Sequence, residues 1–213
     1  MDLSNVAWYG HDCYTITTKV GKVVYFDPFK IPDNTPKADV IFVTHEHHDH
    51  CSPEDINKIY QDGTVIVGSP QTVEKLEQAV TVIKPGEQKT IADLVVLAVP
   101  AYNLNKWRSP GVPYHPKEDL KVGFVVTIDN VKYYHAGDTD LIPEMKEIKT
   151  DVVFLPVSGT YVMTADEAIE AAKVINPRMA IPMHYGEIVG TVEDADKFKA
   201  ALDIPVTIME KTG

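Results

Sequence analysis

Histidine is the residue type to start from, because four of the eight in this 213-residue chain stand in six consecutive positions. The stretch Thr44–Cys51 reads THEHHDHC, and within it His45, His47, Asp49 and His50 form the pattern H-x-H-x-D-H. Neutral imidazoles and carboxylates are the usual donors to zinc and similar divalent ions. Two histidines one residue apart can grip one ion, and an adjacent aspartate and histidine can reach a second. A lone histidine is ordinarily a satisfied core or surface residue. Four ligand-type residues in six positions, with no period to explain them, point instead to metal binding. A helix would separate residues at this spacing, so a tight loop after a strand is the expected host.

Such a loop needs a rigid support. DVIFV (39–43) runs straight into the histidines, and its unbroken apolar character suits a strand buried on both faces. CYTITTK and KVVYFD read as earlier strands with Gly21 as a hairpin signal. Ser52-Pro53 with Asp55 predicts a helix start, and Ser69-Pro70, after the strand TVIVG, repeats the signal. Residues 81–99 predict short strands turning at Pro85-Gly86, and VGFVVTIDNVKYYH predicts a hairpin through Asp129-Asn130. DVVFLPV is a buried strand, Thr164 and Glu167 form a capping box for a helix to about Ile175, and MAIPMH is a strand ending in His184. Thr191 and Asp194 open a last helix, and VTIM is expected as a last strand. Residues 100–119 hold four prolines and little periodicity, the mark of a functional loop. The ligand-type residues recur just past apolar strands, where α/β sheets collect their sites. One α/β domain over 1–213 is the expectation.

Composition narrows the function classes. The net charge is −11, which argues against a general binder of long nucleic acids but permits a pocket for a small anionic substrate. No basic start followed by an apolar run and no apolar stretch of about 18 residues predict neither signal peptide nor membrane span, hence a cytoplasmic protein. Cys13 and Cys51 suggest no disulfide framework. The oligomeric state is not legible.

The motif, with GHDCYTI (10–16), YFDPF (25–29), AGDTD (136–140) and IPMHYG (181–186) in order, resembles the metallo-β-lactamase fold superfamily, and its opening is similar to the UlaG-like branch. The resemblance implies a four-layer αββα sandwich of two mixed sheets and a metal-dependent hydrolase. It implies two divalent ions, Zn2+ foremost, with Mn2+, Fe2+ or Ni2+ accepted by the same donors. His45 and His47 would hold the first, Asp49, His50 and His184 the second, and Asp138 would bridge them. A hydroxide between the ions would be the nucleophile, with Asp49 accepting its proton. Asp27 resembles a residue that orients ligands from behind. A lactone or phosphodiester is the implied substrate, rather than a β-lactam.

The chain departs from the family where a further histidine should follow LVVLAVP: Asn103 stands there, and His115, twelve residues on, is the favoured replacement. If neither coordinates, the site is mononuclear, or the protein binds a metal or ligand without efficient catalysis. A di-iron redox centre is a third alternative, disfavoured by the plain hydrolase motif. Glu46 and His48 are expected as spacers, Cys51 as a small buried residue and His135 as structural. Four residues are candidate substrate contacts: Tyr185 beside His184, His11 of GHDC, and Lys106 and Arg108 at a basic tip of the long loop.

Overall fold

The computed structural model describes residues 2–213. An antiparallel meander opens it: β1 (Val6–Gly10), β2 (Cys13–Thr17) and β3 (Val23–Phe26). β4 (Val40–Val43), β5 (Val65–Gly68) and β6 (Val80–Val82) then add in parallel, giving a mixed six-stranded sheet in chain order. Helix α1 (Pro53–Ile59) bridges β4 and β5. Ser52 Oγ accepts the Asp55 N–H at its start.

The second sheet is built from β7 (Gln88–Ile91), β8 (Leu94–Pro100), β11 (Val122–Ile128), β12 (Val131–His135), β13 (Val152–Pro156) and β14 (Met179–Met183), in the order β14-β13-β12-β11-β8-β7. β12, β13 and β14 are parallel, and the remaining pairs are antiparallel. Between β8 and β11 lies a separate hairpin of β9 (Trp107–Ser109) and β10 (Val112–Pro113). Helices α2 (Ala165–Ile175) and α3 (Val192–Ala200) flank β14 in sequence. Both begin with capping boxes, Thr164/Glu167 and Thr191/Asp194.

β4 shows how the layers form. Val40 and Phe42 enter the large core between the sheets, while Ile41 and Val43 enter a smaller core with Ile56 and Ile59 of α1. Period-2 alternation in an all-apolar strand therefore feeds two layers at once. On the other side, Ala168, Ala171 and Ala172 of α2 are buried in the core that includes Val153 and Leu155. The result is the expected αββα sandwich of two mixed sheets.

Three expectations need correction. Ser69-Pro70 opens only a five-residue 3-10 turn, Pro70–Glu74, because Ser69 makes no side-chain cap bond. VTIM forms no strand; Val206 makes an isolated bridge to Ala180, and the segment is only half-buried. The long loop carries the β9–β10 hairpin, whose few residues are too short to show a period.

Candidate metal centre

The site assembles from the loops that leave one end of the strands. β4 delivers His45, His47, Asp49 and His50; β12 leads into Asp138; β14 ends one residue before His184. Gly137 has a φ of +62° and lies so close to Thr44 that a Cβ would sit 2.9 Å from the Thr44 Cβ. Only glycine lets the two ligand-bearing loops approach this closely. His11, Asp27 and His184 adopt left-handed backbone, with φ of 50°, 42° and 59°. Non-glycine residues hold that conformation where the surroundings enforce it, most often at functional sites.

Two groups of donors result. His45, His47, His115 and Asp138 offer ligand atoms within 4.8 Å of one another, and so do His11, Asp49, His50 and His184. Asp138 lies between them: Oδ2 is 3.3 Å from His115 Nε2 and 3.9 Å from His45 Nε2, while Oδ1 is 3.2 Å from His50 Nε2 and 3.3 Å from His184 Nε2. His47 Nδ1 is 3.0 Å from His45 Nε2 and 3.3 Å from His115 Nε2. An ion with bonds of about 2.0–2.2 Å places adjacent tetrahedral donors roughly 3.3–3.6 Å apart. The spacings, 3.0–3.9 Å, bracket that size.

The outer hydrogen bonds decide which ring nitrogens carry protons. Asp27 Oδ2 accepts from the Thr44 hydroxyl at 2.7 Å and from His50 Nδ1–H at 2.8 Å. With its proton so directed, Thr44 Oγ1 accepts from His45 Nδ1–H at 3.0 Å. Asn103 Oδ1 can only accept, so His115 Nδ1 donates to it at 2.9 Å. Ser158 Oγ, whose own proton points to the Thr160 carbonyl, accepts from His184 Nδ1–H at 3.0 Å. In their neutral forms all four rings therefore turn a bare Nε2 inward. His50 Nε2, His184 Nε2 and Asp138 Oδ1 are fully buried with no hydrogen-bond partner. Convergent lone pairs repel, and a cation among them removes the repulsion. The donor chemistry suits a pair of divalent ions.

Charge reinforces this. Burial pushes His45 well below the ordinary imidazole range and His115 down to about 3. For His50 and His184, burial works in the same direction, but the Asp138 carboxylate overcomes it and raises both. Burial drives the Asp12 carboxyl up to about 7. Asp12, Asp27, Asp49 and Asp138 crowd this region, and its buried lysine, Lys121, is already paired with Glu46 at 2.7 and 2.9 Å.

The other expected residues divide. Asn103 does not aim at the first group but holds His115, while its Nδ2 donates to Asp140 and to the Tyr161 carbonyl. His11 is buried with Nε2 3.2 Å from Asp49 Oδ2, so it touches a candidate ligand rather than open solvent. Tyr185 is buried and stacked on Trp8 at 5.2 Å, which removes its hydroxyl from any substrate surface. Lys106 is not a free cation: it bonds Glu167 at 2.8 Å and lies 3.4 Å from Asp140. Arg108 stays on the exposed hairpin, 5.7 Å from the Tyr114 ring. Glu46 turns to Lys121, His48 is exposed, Cys51 is buried with its thiol pushed up to about 12, and His135 Nε2 donates to the Asp12 carbonyl. Sequence reasoning missed Asp12 and Lys121, whose significance comes from partners on other strands.

Comparison with known proteins places these features in company. The model of a beta-lactamase superfamily domain matches residues 5–184. A metal-dependent hydrolase from Thermoplasma acidophilum is 34% identical over 217 residues, covering 94% of this chain and 91% of that one. A crystal structure from Parabacteroides distasonis, proposed to be a metal-dependent hydrolase, is similar with a TM-score of 0.86 and 34% identity, covering 97% of this chain and 93% of that one. A metallo hydrolase from Ignicoccus hospitalis shares the fold with a TM-score of 0.76 at 23% identity, covering 98% and 95% of the two chains.

Proposed function

The chain belongs to the metallo-β-lactamase superfamily, and we propose that it holds two divalent ions, Zn2+ foremost, and hydrolyses a small ester-type substrate, a lactone or a phosphodiester. It is a metal-dependent hydrolase of that superfamily; the ion count, the ligands and the substrate are our reading. GHDCYTI and YFDPF favour the UlaG-like branch. No helix among the described residues is long and apolar enough to cross a membrane, in keeping with a cytoplasmic, small-molecule enzyme.

The observation that carries the proposal is the set of inward ring nitrogens whose outer nitrogens are all engaged by Thr44, Asn103, Asp27 and Ser158. His45, His47 and His115 would hold the first ion, Asp49, His50 and His184 the second, and Asp138 both. Asp27, Asp49 and Asp138, with Asp12 beside them, give the centre the negative character that divalent ions favour. When bound, such ions lower the pKa of water and polarise the scissile group. The chain's own residues do the rest. Asp49 keeps 14% of its side chain exposed and His47 32%, whereas His45, His50, His115, Asp138 and His184 are almost wholly buried. Substrate therefore approaches over His47 and Asp49. Asp49 takes up a proton there, and His11 Nε2–H fixes the orientation of its carboxylate.

The test begins with protein purified without chelator or histidine tag and equilibrated with buffered zinc. Mass spectrometry should count two ions per chain, and His47→Ala and Asp138→Ala should each cut turnover of a validated substrate by about 100-fold or more. One ion would favour a mononuclear centre. Full turnover in either variant would falsify the mechanism.

A further inference from the structure

Eleven large hydrophobic side chains are exposed on the described residues, and five of them lie on segments that adjoin Asn103, His115 or His184 in the chain or bond to Asn103. Leu104 follows Asn103; Trp107 and Val112 lie on the β9–β10 hairpin that ends at His115; Tyr161 accepts Asn103 Nδ2–H through its carbonyl; Ile188 lies four residues past His184. Trp107 is half exposed. Exposed apolar groups on segments anchored to a polar centre offer a binding surface.

The hairpin is also held in a particular way. Its base is clamped: Leu104 N and Asn105 N donate to Asp140 Oδ2, and Lys106 bridges Asp140 and Glu167. At its far end His115 N donates to Asn103 Oδ1. Between these anchors the strands are exposed. A row of flat groups extends from it, with Arg108 over the Tyr114 ring and Tyr114 edge-on to Tyr161 at 4.6 Å. Arg108 has no carboxylate within salt-bridge distance among the described residues, although the chain carries a net charge of −11.

We propose that the β9–β10 hairpin selects the substrate, and that it selects an aromatic compound carrying a negative charge at the end remote from the scissile bond. Trp107 covers the apolar body, and Arg108, stiffened by Tyr114, receives the anion. This deepens the hydrolase reading and rests on it, because the metal centre is what places the reacting group beside the hairpin.

The test separates the two ideas by measuring binding without turnover. The probes are methylphosphonate, benzylphosphonate and 4-carboxybenzylphosphonate, titrated calorimetrically into zinc-loaded protein whose metal content is counted in the same sample. Benzylphosphonate should bind about tenfold more tightly than methylphosphonate. The remote carboxylate should add about threefold more, an increment that fades at high salt. Trp107→Ala should abolish the first increment and Arg108→Gln only the second, with the melting temperature unchanged because both side chains lie on an exposed hairpin. Equal binding of all three probes, no binding to loaded protein, or increments indifferent to both substitutions overturns the proposal. Protein that holds no zinc overturns the hydrolase reading itself.

Discussion

At the scale of single residues, the centre depends on side chains that never face the substrate. Asn103 accepts from both the backbone and the ring of His115 and donates to Asp140 and Tyr161, so one amide fixes a ring and the segments around it. Asn103→Ala frees the His115 ring to rotate. The first ion should then bind about 10–100-fold more weakly, while the second stays tightly held. Competition against a chromophoric chelator resolves the two steps, and equal weakening of both would refute the separate role. How much of this the sequence disclosed depends on distance along the chain. H-x-H-x-D-H is local and could be read directly. The exchange of a histidine for Asn103 looked like a loss, because the loop that returns His115 to the first group has no periodic signature. Lys106 looked free because its partners, Asp140 and Glu167, lie 34 and 61 residues further on. Asp12 was invisible for the same reason: its neighbours His50 and His135 arrive from other strands.

At the scale of elements, α2 was legible because its start signal is complete. Thr164 Oγ1 accepts the Glu167 N–H while Glu167 reaches back to the Thr164 N–H. Ser69-Pro70 lacks that reciprocity, and only a 3-10 turn follows. Glu167 also joins the helix to the hairpin base, accepting from Lys106 and Asn105. Burial works to raise its carboxyl, but these bonds and the cap lower it from 4.5 to about 2. A carboxylate with a depressed folded pKa contributes stability above its unfolded value, and loses it as the pH falls through the folded one. Glu167→Gln keeps the reach-back to Thr164 but removes the charge. The variant should be about 0.5–1 kcal/mol less stable at pH 7, a modest figure because the group is partly exposed. Urea unfolding should show the gap narrowing as the pH drops from 4.5 towards 2. A gap that holds constant over that range would assign the effect to packing.

At the scale of the whole molecule, the sandwich and its centre pull in opposite directions until ions are bound. The apolar strands made the layers predictable: buried runs such as VIFV and VVFLP have few other places to go. The same burial that stabilises the sheets leaves Asp12, Asp138, His50 and His184 with unpartnered polar atoms deep in the structure. Each such group costs stability. Ions that bind only the folded chain reverse this. One site filled at a thousand times its dissociation constant stabilises by about 4 kcal/mol. For a chain of this size each kcal/mol moves the melting temperature by roughly 2–4 °C. Losing two such sites to a chelator should therefore lower the melting temperature by about 16–32 °C, and zinc added back should restore it. Asp138→Asn supplies the control. It removes one buried charge and the proposed bridge, so without metal it should melt at or above the stripped parent, and zinc should raise it far less. A stripped parent that melts unchanged would mean that the cluster is satisfied without ions, and the case for a metal centre would fall with it.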